Sequence, residues 1–130
     1  MKERAVASPR KEEKTMQYAF LIYRDEAAFD AERGNAAAMQ QLGARHIAFS
    51  QEVGNARIAG AGLKSVALAT TVRTAADGVQ VVHDGPFADA KEQLGGFYVI
   101  DAPDLDAAIM IAKKIPFLKD GAVEIRPVLG

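Results

Sequence analysis

The chain has 130 residues, a length that suits one domain whose core needs no disulfide or metal to hold it. Its 16 basic and 17 acidic residues leave a formal charge of −1, so there is no electrostatic excess for a phosphate backbone and nucleic-acid binding is not expected. Cysteine is absent, which removes disulfides, thiolate catalysis and Cys-ligated metals together and fits a reducing cytoplasm.

Residues 1–15, MKERAVASPRKEEKT, lack the apolar central stretch of a secretory signal and read as a disordered basic tail, leaving 16–130 as the domain. No run approaches the ~20 apolar residues of a membrane span, so no membrane contact is expected. Met16–Tyr23 (MQYAFLIY) is almost wholly apolar and predicts a strand buried on both faces. Asp25 can cap a short helical turn, which Gly34-Asn35 interrupts, and Asn35 can cap the main helix that follows.

Along that helix Met39, Leu42, His46, Phe49 and Val53 are spaced three, four, three, four, which is one face of an α-helix. Gly43 inside it costs about 1 kcal/mol relative to Ala, and close approach of another backbone is its expected use. Gly54-Asn55 ends the helix. Arg57–Leu63 reads as a glycine-rich extended piece and Ser65–Thr74 as a strand. The Asp77-Gly78 turn joins the latter to a partner strand over Val79–His83.

Ala88–Gln93 reads as a short helical turn or loop, and Gly95–Asp101 as a strong strand. Asp104 caps a second helix with Leu105, Ala108, Ile109, Ala112 and Ile115 facing inward, until Pro116 stops it. Ala122–Val128 is the last strand, and Pro127 places it at an edge. The order predicts an α+β fold, a ferredoxin-like βαββαβ plan with an added hairpin. Two helices on one side of a sheet leave the other side bare, so a homodimer packed sheet to sheet is expected.

Four segments carry a resemblance: YAFLIY, TTVR, HDGPFADAKEQLGGFYVIDAPDLDAA and VEIRPV. Together they make residues 16–130 similar to the DGPF-domain branch of the YCII-related family. The resemblance implies a dimeric α+β barrel in a bacterial, cytoplasmic protein whose activity is mostly unassigned. Some genes of this branch sit beside genes for extracytoplasmic-function sigma factors. In the wider family a His–Asp pair is proposed as catalytic, and one relative is a dehydrochlorinase of a chlorinated hydroquinone. The histidine falls at His46, but no carboxylate stands near Gly54, where the aspartate would fall. Glu52 is close in sequence.

His46 interrupts an apolar stripe, where a polar ring must find a partner. It reads either as a general acid or base lining a pocket between helix and sheet, or as a core or interface histidine with its nitrogens satisfied. Asp84-Gly85-Pro86-Phe87 reads as a latch that buries Phe87, or as a loop whose Asp84 lines a ligand pocket. Lys91 and Glu92 can pair with Asp84 or Arg126, and Tyr98 carries a polar tip on a buried strand. Asp84, Lys91 and Tyr98 are therefore the candidates to reach a small molecule beside a catalytic His46. Gly95-Gly96 lacks a phosphate-loop pattern, and His46 and His83 fall on different elements, so neither cofactor nor metal is expected. Two functions fit: a small isomerase or lyase working by proton transfer at His46, or a non-catalytic ligand-binding or regulatory module associated with a sigma factor.

Overall fold

A computed structural model describes residues 14–130, so the tail read at 1–15 lies almost wholly outside the described residues. Strand β1 (Met16–Asp25) buries Tyr18, Phe20, Ile22 and Arg24 and leaves Ala19, Leu21 and Tyr23 half-buried. The apolar run predicts burial on both faces. Among the described residues only one face is closed, because the helices that cover the sheet pack against that face alone.

Helix α1 (Glu26–Arg33) starts where the Asp25 carboxylate accepts from the Ala28 N–H at 3.0 Å. It is a full helix of eight residues rather than a turn, and it ends before Gly34. Helix α2 (Ala36–Val53) begins at Asn35, whose side-chain oxygen accepts from the Ala38 N–H at 3.0 Å. It closes at Gly54, which has φ +56°, a conformation that favours glycine. The inward stripe of α2 is as its spacing predicts: Leu42 and Phe49 are buried, and Met39, His46 and Val53 half-buried.

Strand β2 (Arg57–Gly62) follows directly. Ser65 then caps a short 3₁₀ turn over Val66–Leu68, so β3 (Thr70–Thr74) starts later than the alternation of Ser65–Thr74 predicts. The Asp77-Gly78 turn leads into β4 (Gln80–Asp84), and Gly78 has φ +88° as such a turn requires. No helical turn forms over 88–93; the chain bends and enters β5 (Glu92–Ala102). Helix α3 (Leu105–Ala112) is capped by Asp104, which accepts from Ala107 N–H at 2.8 Å. Leu105 does not face inward: it sits in the first turn, beyond the sheet, and is half exposed. Strand β6 (Ala122–Pro127) ends the domain.

The main sheet has the order β2-β5-β1-β6 with every neighbouring pair antiparallel, compatible with the ferredoxin-like plan. Strand β6 lies at an edge, where Pro127 is tolerated. The hairpin β3–β4 is a separate two-stranded sheet inserted between β2 and β5. Phe49 of α2 and Ala108 of α3 pack with Tyr18, Phe20, Tyr98 and Ile100 in one core. Both helices therefore cover the same face. No helix among the described residues is long and apolar enough to cross a membrane.

Candidate functional site

Between α2 and the sheet lies a cavity of about 900 Å³, a size that suits a small organic molecule. Helix α2 contributes Met39, Leu42, Gly43, His46 and Ser50, and the sheet contributes Ile22, Gly60, Gly95 and Tyr98. Glycine recurs on the strands because aromatic rings lie against them. A Cβ at Gly60 would stand 2.5 Å from the Tyr98 ring, and one at Gly95 would stand 2.9 Å from Phe29. Gly43 differs. No atom lies within 4 Å of where its Cβ would be, so the close backbone contact expected from its place in the helix is not made. The helix is bare there because it faces the cavity.

His46 and Tyr98 meet in this space. His46 Nδ1 and the Tyr98 hydroxyl share a 2.7 Å hydrogen bond, and the tautomer of the ring decides which donates. Their rings stack with centroids 5.9 Å apart, and Phe49 packs against the other side of the pair at 5.0 Å from Tyr98. Burial lowers the His46 imidazole pKa below its ordinary 6.5. Burial also raises the Tyr98 phenol above its ordinary value, with Ser50 and Arg57 pulling weakly the other way. The pair is thus a neutral imidazole beside a protonated phenol at neutral pH.

Among the described residues no carboxylate joins them. Glu52 turns outward to pair with Lys114, so it does not supply the partner that the His–Asp resemblance asks for. Asp84 ends β4 opposite Thr70 in the hairpin, with its side chain exposed. Lys91 is exposed and pairs at 3.6 Å with Asp25 rather than with Asp84, and Arg126 pairs with Glu124 rather than Glu92. Asp84 and Lys91 therefore stand outside the His46 cavity, and Tyr98 is the one ligand-binding candidate that the fold brings to His46. Phe87 is not buried: its ring is 68% exposed, with the Arg73 guanidinium 4.6 Å above it. The Asp84–Phe87 turn leaves a hairpin that is not part of the main sheet, so the chain's own core does not reach it.

The cavity wall carries polar groups that the sequence motifs do not mark. Arg24 and Arg33 border one end. Arg24 is buried and makes two bonds to Glu32, at 3.2 and 2.7 Å, while its guanidinium lies 4.7 Å from the Phe29 ring centroid. Arg33 bonds Glu26 at 3.0 Å and Asp30 at 2.6 Å. Arg57 stands at the other end, 5.4 Å from the Tyr98 ring centroid. The signal for Arg24 was present as parity, since it continues the inward series Tyr18, Phe20, Ile22 by one more step of two. Arg57 shows no such signal. Among the described residues no cluster of three His, Asp or Glu side chains could hold a metal ion.

This α+β fold with its histidine-bearing cavity matches a known class. The model of the YCII-related domain matches residues 16–130, nearly the whole described chain. The protein belongs to the YCII-related family. It is also similar to an uncharacterized protein of Rhizobium meliloti (strain 1021), 36% identical over 119 residues, covering 87% of this chain and 92% of the relative.

Proposed function

We propose that this protein is a member of the DGPF branch that binds a small organic molecule in the His46 cavity and moves a proton on it, as an isomerase or lyase. The observation that carries the reading is the 2.7 Å bond between His46 Nδ1 and Tyr98 in a largely apolar cavity. One ring nitrogen is thereby fixed, and Nε2 is left to meet the ligand. A neutral imidazole can accept a proton there, and when the Tyr98 hydroxyl takes the Nδ1 proton as acceptor the ring presents the basic tautomer. The phenol does for ring orientation what a carboxylate does elsewhere, but without its negative charge.

The lack of a carboxylate at His46 favours a second reading, a non-catalytic ligand-binding or regulatory module linked to an extracytoplasmic-function sigma factor. The two part on turnover. A thermal-shift screen against a metabolite library should give stabilising hits whose effect disappears in His46→Leu. A hit that the wild type consumes and His46→Leu does not supports the enzyme. A hit bound and never consumed supports the module. Hits that are indifferent to His46→Leu would defeat both.

The working form on this reading is a cytoplasmic homodimer. Val72, Val81 and Val82 of the hairpin, with Leu68 and Phe87 beside it, are each more than half exposed in the single chain. Leu21, Phe97 and Val99 on the open sheet face are only half-buried. A second copy covering both would bury over ~2,000 Å², the range of obligate dimers. Sedimentation as a monomer at micromolar concentration would remove this assignment.

A further inference from the structure

The wall of the His46 cavity is one-signed. Among the described residues it holds four basic side chains, Arg24, Arg33, Arg57 and Lys64, and no acidic one. Two of the four are already neutralised. Arg24 is tied to Glu32, and Arg33 to Glu26 and Asp30, so neither is available to a ligand. That leaves Lys64, which is exposed, and Arg57, which is half-buried; among the described residues no carboxylate pairs with either. The Arg57 Nη2 donates only a long 3.4 Å bond to the Gly60 carbonyl, and its buried Nε has no partner. The Arg57 side chain lines the cavity, so an anion there would meet a guanidinium that no carboxylate of the described residues has taken.

Its surroundings limit what that is. Arg57 lies over the Tyr98 ring, and the Tyr98 hydroxyl reaches His46. One end of the cavity is therefore a cluster of Arg57, Tyr98, His46 and Ser50, while Met39, Leu42, Ile22 and Phe117 give the rest an apolar surface. We propose that the cavity takes an organic monocarboxylate, its carboxylate on Arg57 and its apolar or aromatic body against Met39, Leu42 and Phe117. A carboxylate fits better than a phosphate ester. One planar guanidinium matches a planar single charge in a two-bond pair. This inference rests on the small-molecule reading of the cavity and adds the charge and shape of the ligand.

The test compares naphthalene-2-carboxylate with its uncharged isostere naphthalene-2-carboxamide on the full chain, by ¹H–¹⁵N chemical-shift titration. The carboxylate is expected to shift the amides of Gly43, His46 and Tyr98 and to bind at least tenfold more tightly than the amide. Arg57→Gln should abolish that preference and leave carboxamide binding unchanged, and Arg57→Lys should keep part of it. Inorganic phosphate at equal concentration should not displace the carboxylate. Equal binding of acid and amide in the wild type would overturn the charge assignment while leaving the small-molecule site standing. Displacement by phosphate would overturn the choice of carboxylate. If neither compound moves those amides, the cavity is not the site and both readings fall.

Discussion

Removing the Glu32 carboxylate, which holds Arg24 of the cavity wall from behind, should strongly destabilise the protein. Arg24 and Glu32 are 2% and 8% exposed and are joined by two hydrogen bonds. Glu32→Ala would leave a buried guanidinium with its Nε already unpartnered. Breaking a buried pair from one side typically costs about 3–5 kcal/mol, because an uncompensated charge remains. Here the lower end applies. The Phe29 and Phe117 rings stay at 4.7 and 5.6 Å from the guanidinium, and the cavity beside Arg24 can admit water. A loss of about 3 kcal/mol should lower the melting temperature by roughly 10–20 °C for a domain of this size. Replacing both partners, as Arg24→Met with Glu32→Leu, should recover most of it, because the desolvated charge goes with the pair. Urea denaturation followed by circular dichroism reads both variants. A Glu32→Ala loss under about 1 kcal/mol would show that Arg24 is solvated from the cavity, and a double variant no better than the single one would show that packing rather than charge sets the cost.

Gly43→Ala should stabilise the protein by about 0.5–1 kcal/mol, since the helix gains a better former and the new Cβ meets no atom; Gly43→Leu should instead block ligand entry with the fold intact, seen as lost thermal-shift response. Tyr98→Phe should cost about 1–2 kcal/mol by leaving His46 Nδ1 without its partner, measured by the same denaturation. His46 should titrate below 6.5 by NMR. Its folded pKa lies below the unfolded one, so the stability it contributes is complete above about pH 6.5 and is lost as the pH falls through the folded value; His46→Leu should remove that part of the acid limb. Phe87→Ala should change single-chain stability by under about 0.5 kcal/mol, its ring being exposed, and weaken self-association in sedimentation.

The features legible in the sequence are those set by local chemistry. Asp25, Asn35 and Asp104 cap the helices they precede, the Asp77-Gly78 turn makes a hairpin, and the three-four spacing from Met39 to Val53 is the buried stripe. The misreadings depend on what lies across from a residue. An apolar run cannot report that both helices choose one face, so β1 is half open. Phe87 is a large ring in a rigid turn, yet that turn stands off the main sheet. Gly43 announces a missing side chain but not whether backbone or empty space faces it. The site divides the same way. His46 is visible as a break in a stripe, and Tyr98 as a polar tip on a buried strand. Arg57 becomes notable only when the partners of Arg24 and Arg33 are known.

The placement of charge ties the stability of the domain to its site. Helix α1 holds Glu26, Asp30 and Glu32, and all three turn toward Arg24 and Arg33 rather than into the cavity. The helix thus neutralises two cations at one end and keeps negative charge out of the pocket, which leaves Arg57 and the exposed Lys64 as the unpaired cations of its described lining. At an effective dielectric near 20, a single negative charge about 4 Å from a guanidinium gains on the order of 4 kcal/mol before its own desolvation is counted. An anion is selected over its neutral isostere where that gain exceeds the cost of desolvating it. The same anion would change His46. Among the described residues the free pair has no carboxylate to stabilise an imidazolium, and burial favours the neutral ring. On the reading proposed above, a ligand carboxylate on Arg57 brings negative charge into the cluster that contains His46, and so favours the protonated ring. The missing acidic partner of the histidine would then arrive with the substrate, and His46 would become an effective base only when the site is filled.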